Sequence, residues 1–163
     1  MPQDLVVPLD TVIVQDQGLI IEEFEIGANA VPADMLPGTW VIYDTVAGDV
    51  KQGSDEVHGV IGLLMEKPTG KLTDAYAVGD QCRVITGGRG LVLSRIIING
   101  GAINPGTPIV CAALGLARAQ TVGAQGAQGE VIAIGATVAA NDAAAETNAI
   151  VKIHKGVMSK ATA

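Results

Sequence analysis

The side chains best suited to chemistry are few and scattered. His58 and His154 are the only imidazoles in the 163 residues, and Asp55-Glu56-Val57-His58 is the one local cluster of ionisable groups. A metal centre or a general base would need carboxylates converging on such an imidazole, so an enzyme reading would rest on Asp55, His58 and Asp80. Ser54, Ser94 and Ser159 lie outside any Gly-x-Ser-x-Gly turn, which removes the usual serine nucleophile. Cys82 and Cys111 stand alone, with no Cys-x-x-Cys pair; a bridge between them is left open. The glycine-rich stretch Thr86-Gly87-Gly88-Arg89-Gly90 lacks the Gly-Lys-Ser/Thr ending of a phosphate-binding loop, and Gly123, Gly126 and Gly129 lack dinucleotide-fingerprint spacing. Adjacent acids such as Glu22-Glu23 point to opposite faces of a strand and cannot act as a carboxylate pair. The expectation is a chain without catalytic residues, cofactor or metal.

Charge narrows the partners. The formal charge of −7 disfavours a phosphate-binding surface, because affinity for nucleic acid comes from clustered Lys and Arg. The charge is also split: residues 1–65 carry eleven acids and one base, Lys51, while residues 66–163 carry six acids and nine bases. Either a solvated acidic face or complementary surfaces on neighbouring copies would account for this split. No run of about 20 apolar residues exists and no basic segment precedes an apolar one near Met1, so neither a membrane span nor a secretory signal is expected.

The scaffold that would carry these residues reads as strands. Val and Ile number 35 against 11 Leu, and two substituents on Cβ suit a pleated surface better than a helix. The 28 Gly and Pro residues break the chain too often for long helices. Residues 1–17 form an extended apolar arm interrupted by Pro2 and Pro8, either an edge strand of its own domain or a strand added to a neighbouring subunit, followed at Asp16-Gln17-Gly18 by the expected loop of a first hairpin into Leu19–Ile26. Cys82 and Val84 should face a packed side and Gln81 and Arg83 a wet one. Leu91-Val92-Leu93-Ser94-Arg95-Ile96-Ile97-Ile98 is apolar enough to be buried on both faces, at the centre of the core. Two small-residue stretches, residues 123–129 and 139–146, read as a loop tip and at most a helical turn.

An internal duplication is also suggested. Gly38-Thr39-Trp40-Val41-Ile42 matches Gly106-Thr107-Pro108-Ile109-Val110 at an offset of 68, Gly59–Leu63 matches Gly129–Ala133 at 70, and Cys82–Ile85 matches Val151–His154 at 69. A true repeat or chance in a Val/Ile/Gly-rich chain would each produce three such matches. The reading is thus all-β, a single compact barrel or sandwich with an extended N-terminal arm and an internal pseudo-repeat. Residues 1–34 form the arm and first hairpin, and residues 35–163 the β-rich domain.

With reactive groups set aside, the order of the small and apolar residues carries a resemblance. Pro37-Gly38-x-x-Val41, Gly59-Val60-Ile61-Gly62-Leu63, Ala77-Val78-Gly79-Asp80-x-Cys82-x-Val84, Ile103-x-x-Gly106-x-Pro108-Ile109-Val110, Gly115-x-Ala117, Gly129-x-Val131-Ile132-Ala133-Ile134-Gly135 and Val151-Lys152-Ile153 together resemble the capsid decoration, or cement, proteins of tailed phages. The resemblance spans roughly residues 35–155. It implies a virion protein on the outer capsid surface, a homotrimer that locks capsomers of the major capsid protein together, with no catalytic residue, nucleic acid or membrane involved. Leu5, Val6, Val7, Leu9, Val12, Ile13 and Trp40 are the expected capsid or subunit contacts. The alternative is a glycan- or small-ligand-binding β module of a phage tail or adhesion structure, using Arg89 and the loop at residues 123–129; the shortage of aromatic side chains speaks against it.

Overall fold

The computed structural model describes residues 11–54, 60–68, 70–97, 103–120, 129–133 and 146–153. Its strands are β1 (Ile13–Asp16), β2 (Ile20–Ile26), β3 (Trp40–Tyr43), β4 (Asp49–Gln52), β5 (Val60–Leu64), β6 (Gln81–Gly87), β7 (Gly90–Ile97), β8 (Pro108–Cys111), β9 (Ala117–Ala119), β10 (Gly129–Ala133) and β11 (Glu146–Ile153). Among the described residues the only helical elements are two three-residue 3-10 turns, at Pro32–Asp34 and Ala113–Gly115. The fold is all-β, as the Val/Ile excess predicts.

Strands β2, β4, β3, β5 and β6 close into a five-stranded barrel. The remaining six form a second sheet in the order β1-β7-β11-β10-β8-β9, and an extra parallel bridge from β7 to β9 returns that sheet on itself. The circuit β7-β9-β8-β10-β11 repeats, strand for strand and sense for sense, the circuit β2-β4-β3-β5-β6. Trp40–Tyr43 corresponds to Pro108–Cys111 at the offset of 68 seen in the sequence. The parallel pair Ile26↔Val50 has its counterpart in Ile96↔Ala117, at offsets of 70 and 67. Shared pairing order and register make the internal repeat a structural one.

Burial explains which residues build the two halves. Ile26, Met35, Val41, Val50, Leu64, Tyr76, Cys82 and Val84 pack together within the first barrel. Alternate positions of the same strands, Trp40, Val60, Leu63 and Ile85, belong to another cluster shared with Val12, Val92, Ile96, Ile103, Ile109, Cys111 and Ala117 of the second sheet. Each half therefore contributes one strand face to a common core. Cys82 and Val84 are buried while Gln81 is exposed, as the period-2 pattern requires. From Val92 to Ile96 every side chain of β7 is buried, consistent with a strand paired to β1, β11 and β9.

A polar thread crosses the common core. Trp40 Nε1 donates to Ser94 Oγ at 2.8 Å, and Arg95 Nη1 donates to Thr39 Oγ1 at 3.0 Å and to the Asp34 carbonyl at 3.2 Å. Buried donors need such partners, since an unmet one costs roughly 1–3 kcal/mol. Cys82 and Cys111 are both buried, and they are not joined by a disulfide.

One expectation about the N-terminus is corrected. β1 and β2 do not form a hairpin: β1 pairs with β7 and β2 with β4 and β6. The tripeptide Asp16-Gln17-Gly18 is instead a crossing from one sheet to the other, with the Asp16 carboxylate accepting from the Gly18 and Leu19 N–H groups. It lies beside the return crossing from β6 to β7, where Arg89 N–H donates to Gly18 O and Gln17 N–H donates to Arg89 O. Gly88, at φ +90°, is confined there so closely that a Cβ would collide with the Gly18 carbonyl. From Val12 onward the arm is an edge strand of its own domain, one of the two readings open to it: β1 lies at the end of the second sheet, Val12 is fully buried and its N–H donates to Glu66 Oε2 at 2.9 Å.

Candidate docking surface on the first barrel

Of the four aromatic side chains in the protein, Trp40 and Tyr76 are buried. The other two meet at the surface. Phe24 on β2 and Tyr43 on β3 stack edge to face, with ring centroids 6.1 Å apart and planes at 66°. Tyr43 remains 55% exposed, as do Ile20 on β2 (55%) and Val46 in the β3–β4 turn (58%). On β2, exposed Glu22 lies between Ile20 and Phe24 on one face, and exposed Glu23 and Glu25 take the other. The first barrel thus exposes apolar side chains and an aromatic contact beside acids, the residue types that docking sites use.

Local hydrogen bonds hold the hairpin that presents Tyr43. The next residue, Asp44, has a side chain only 1% exposed, and its carboxylate takes Lys51 Nζ at 3.2 Å. Asn29 donates to it through both its backbone N–H and its side-chain amide, at 2.9 Å each. Burial alone would raise the Asp44 pKa, but Asn29, the Thr45 N–H and Lys51 outweigh it and hold the carboxyl far below the ordinary range. A charged knot thus ties the β2–β3 loop to β4 directly beneath Tyr43. On β2 itself, Gln81 Nε2 donates to Glu25 Oε2 at 3.0 Å.

The expected contact residues are distributed differently. Leu5, Val6, Val7 and Leu9 lie outside the described residues. Val12 and Trp40 are fully buried in the common core, so their apolar surface is spent inside this chain, and Ile13 is partly buried against the same cluster. The residues proposed for an enzyme are not assembled either: Asp55 and His58 lie outside the described residues, and the Asp80 carboxylate is held by Lys67 at 3.0 Å and the Ala77 N–H at 2.9 Å. Those partners, the Ala77 N–H foremost, lower the Asp80 pKa. Cys82 is pushed up to about 12, chiefly by burial and then by the charge of Asp80, which keeps it an inert thiol. Arg89 sits in the β6–β7 crossing, and the loop at residues 121–128 lies outside the described residues.

The surface around Phe24 and Tyr43 was not legible as a site in the sequence. Aromatic scarcity was the available signal: of four aromatic rings, Tyr43 alone stays exposed, and half-buried Phe24 supports it from the barrel core. The fold is a closed five-stranded barrel joined to a second sheet that repeats its strand order. No family model and no curated protein matches the chain. Among solved structures, it is similar to the head fiber gp8.5 N base of bacteriophage phi29, at 11% identity over 83% of this chain and 94% of that one, with a TM-score of 0.48.

Proposed function

We propose that this protein is a non-catalytic structural component of a tailed-phage head, a trimer that decorates the outer capsid surface and stabilises contacts between capsomers of the major capsid protein. The observation that carries the reading is exposed Tyr43 stacked on half-buried Phe24, with Ile20, Val46 and the β2 glutamates exposed on the same barrel. Support also comes from the motif resemblance to decoration proteins, whose Val positions at Val41, Val60, Val84, Val110, Val131 and Val151 fall in strands of both repeats. Repetition over many lattice sites lets modest apolar contacts stabilise a shell.

The test is co-sedimentation with purified heads of the phage that encodes the chain. The protein should pellet with heads and protect them against heat. Tyr43→Asp combined with Val46→Asp should weaken binding by at least about tenfold, since truncating or charging a central anchor costs on the order of 2 kcal/mol. Failure of the native protein to pellet with heads at physiological salt would overturn the proposal. So would glycan binding that Arg89→Ala abolishes.

A further inference from the structure

The hairpin that joins β8 to β9 turns through a leucine in a conformation that leucines avoid. Leu114 has φ 60° and ψ 20°, Gly115 after it has φ +69°, and the Leu116 N–H closes the turn on Ala113 O at 3.2 Å. Both central residues are left-handed, a geometry that suits Gly, Asn and Asp and strains a larger side chain through its Cβ. Packing inside the chain does not offset the strain, because Leu114 is 46% exposed. A strained backbone that carries an exposed apolar side chain is a feature of places where a partner is held.

The first barrel fixes this turn in place. Gly115 N–H donates to Gly53 O at 2.8 Å, and a Cβ on Gly115 would collide with Thr39 and with the Trp40 carbonyl. Ala113 and Leu114 thereby line a cleft of about 360 Å³ whose opposite side is Ile42, Lys51, Gln52 and Gly53, on and just after the β3–β4 hairpin. The tip of that hairpin is the matching turn of the first repeat. There the Asp49 N–H closes on Val46 O at 3.1 Å, Gly48 has φ +93°, and Val46 is the exposed aliphatic side chain. Each repeat therefore ends the same hairpin in an exposed aliphatic residue, and the second repeat lays its own along the flank of the first.

We propose that Leu114 is a second anchor for the head protein that docks on the first barrel, so that one partner grips both repeats. The inference rests on the docking reading above and names its contact on the second repeat. Continuity supports a shared partner: Ile42 pairs with Lys51 beside Leu114, and four residues along β3, about 13 Å, lead from Ile42 to Val46. An interface of standard size covers about 800 Å² on each side, wide enough to include both. The cleft also defines the chemistry that enters it. Lys51 is neutralised by Asp44 at 3.2 Å, so Ile42 and Leu114 receive an uncharged, apolar side chain of the partner.

Relieving the strain separates what Leu114 does for the fold from what it does for the partner. Leu114→Asn suits the left-handed turn, so its melting temperature should equal or exceed the native one, while co-sedimentation with purified heads weakens at least about tenfold. Leu114→Met keeps an apolar side chain and should bind as the native protein does. If the native protein does not pellet with heads, head attachment and this inference fall together. If it pellets and Leu114→Asn pellets equally well, this inference alone is overturned. A lower melting temperature for Leu114→Asn would assign the leucine to its own fold, and an altered mass in solution would assign it to a contact between copies; either result also overturns the proposal.

Discussion

At the scale of single residues, the molecule concentrates its polar chemistry where two pieces of chain must be fixed together. Asp44 is the clearest case. Its carboxylate is lowered below the ordinary value near 3.9 because its hydrogen bonds favour the charged form. The folded pKa lies below the unfolded one, so its stabilisation is fully present above about pH 4 and is lost as pH falls through the acid range. Asp44→Asn should cost about 2 kcal/mol at neutral pH, the scale of a hydrogen-bonded buried charge, and the difference from the native protein should shrink towards pH 2 in urea unfolding. Ser94→Ala offers a second check. It leaves the Trp40 indole N–H without its acceptor in the core, and a loss of roughly 1–3 kcal/mol is expected by the same measurement. A loss within experimental error would mean that the thread across the core is incidental.

Elements show what the sequence can and cannot disclose. β6 and β7 were readable because alternation at Cys82–Ile85 and an unbroken apolar run at Leu91–Ile96 reflect burial directly. The repeat was readable because its Gly and Val positions sit at matched places in both circuits. Pairing partners were not readable, since a strand's apolar pattern records which face is buried and says nothing about the neighbour on either edge. Hence Asp16-Gln17-Gly18 resembles a hairpin loop but joins two sheets. The exposed stretch of β2 was hidden for a related reason: β2 alternates like a half-buried strand, yet Ile20 to Glu23 are exposed, and among the described residues they pair only with β6. The same topology fixes the role of β1. Deleting residues 1–17 removes Val12 from the core and uncovers the edge of β7, so the truncated protein should lose several kcal/mol of stability and much of its cooperative thermal transition. Retention of the native melting temperature would show that β1 is dispensable.

On the scale of the whole molecule, the two circuits form one folding unit even though they repeat one architecture. Trp40, Val60, Leu63 and Ile85 of the first barrel are buried against the second sheet. Exposing four such side chains forfeits about 6–12 kcal/mol at 1.5–3 kcal/mol each, comparable with the 5–15 kcal/mol by which a whole domain is stable. Residues 1–88 alone should therefore fail to fold, despite containing every strand of the closed barrel. The polar thread sharpens the expectation, because separation leaves the Trp40 and Thr39 partners on the wrong fragment. Circular dichroism and thermal melting of the fragment, alone and mixed with residues 89–163, measure this. Cooperative melting that returns only on mixing is the expected result, whereas a cooperative transition in residues 1–88 alone would mean that the barrel is autonomous and the common core merely a contact between finished domains.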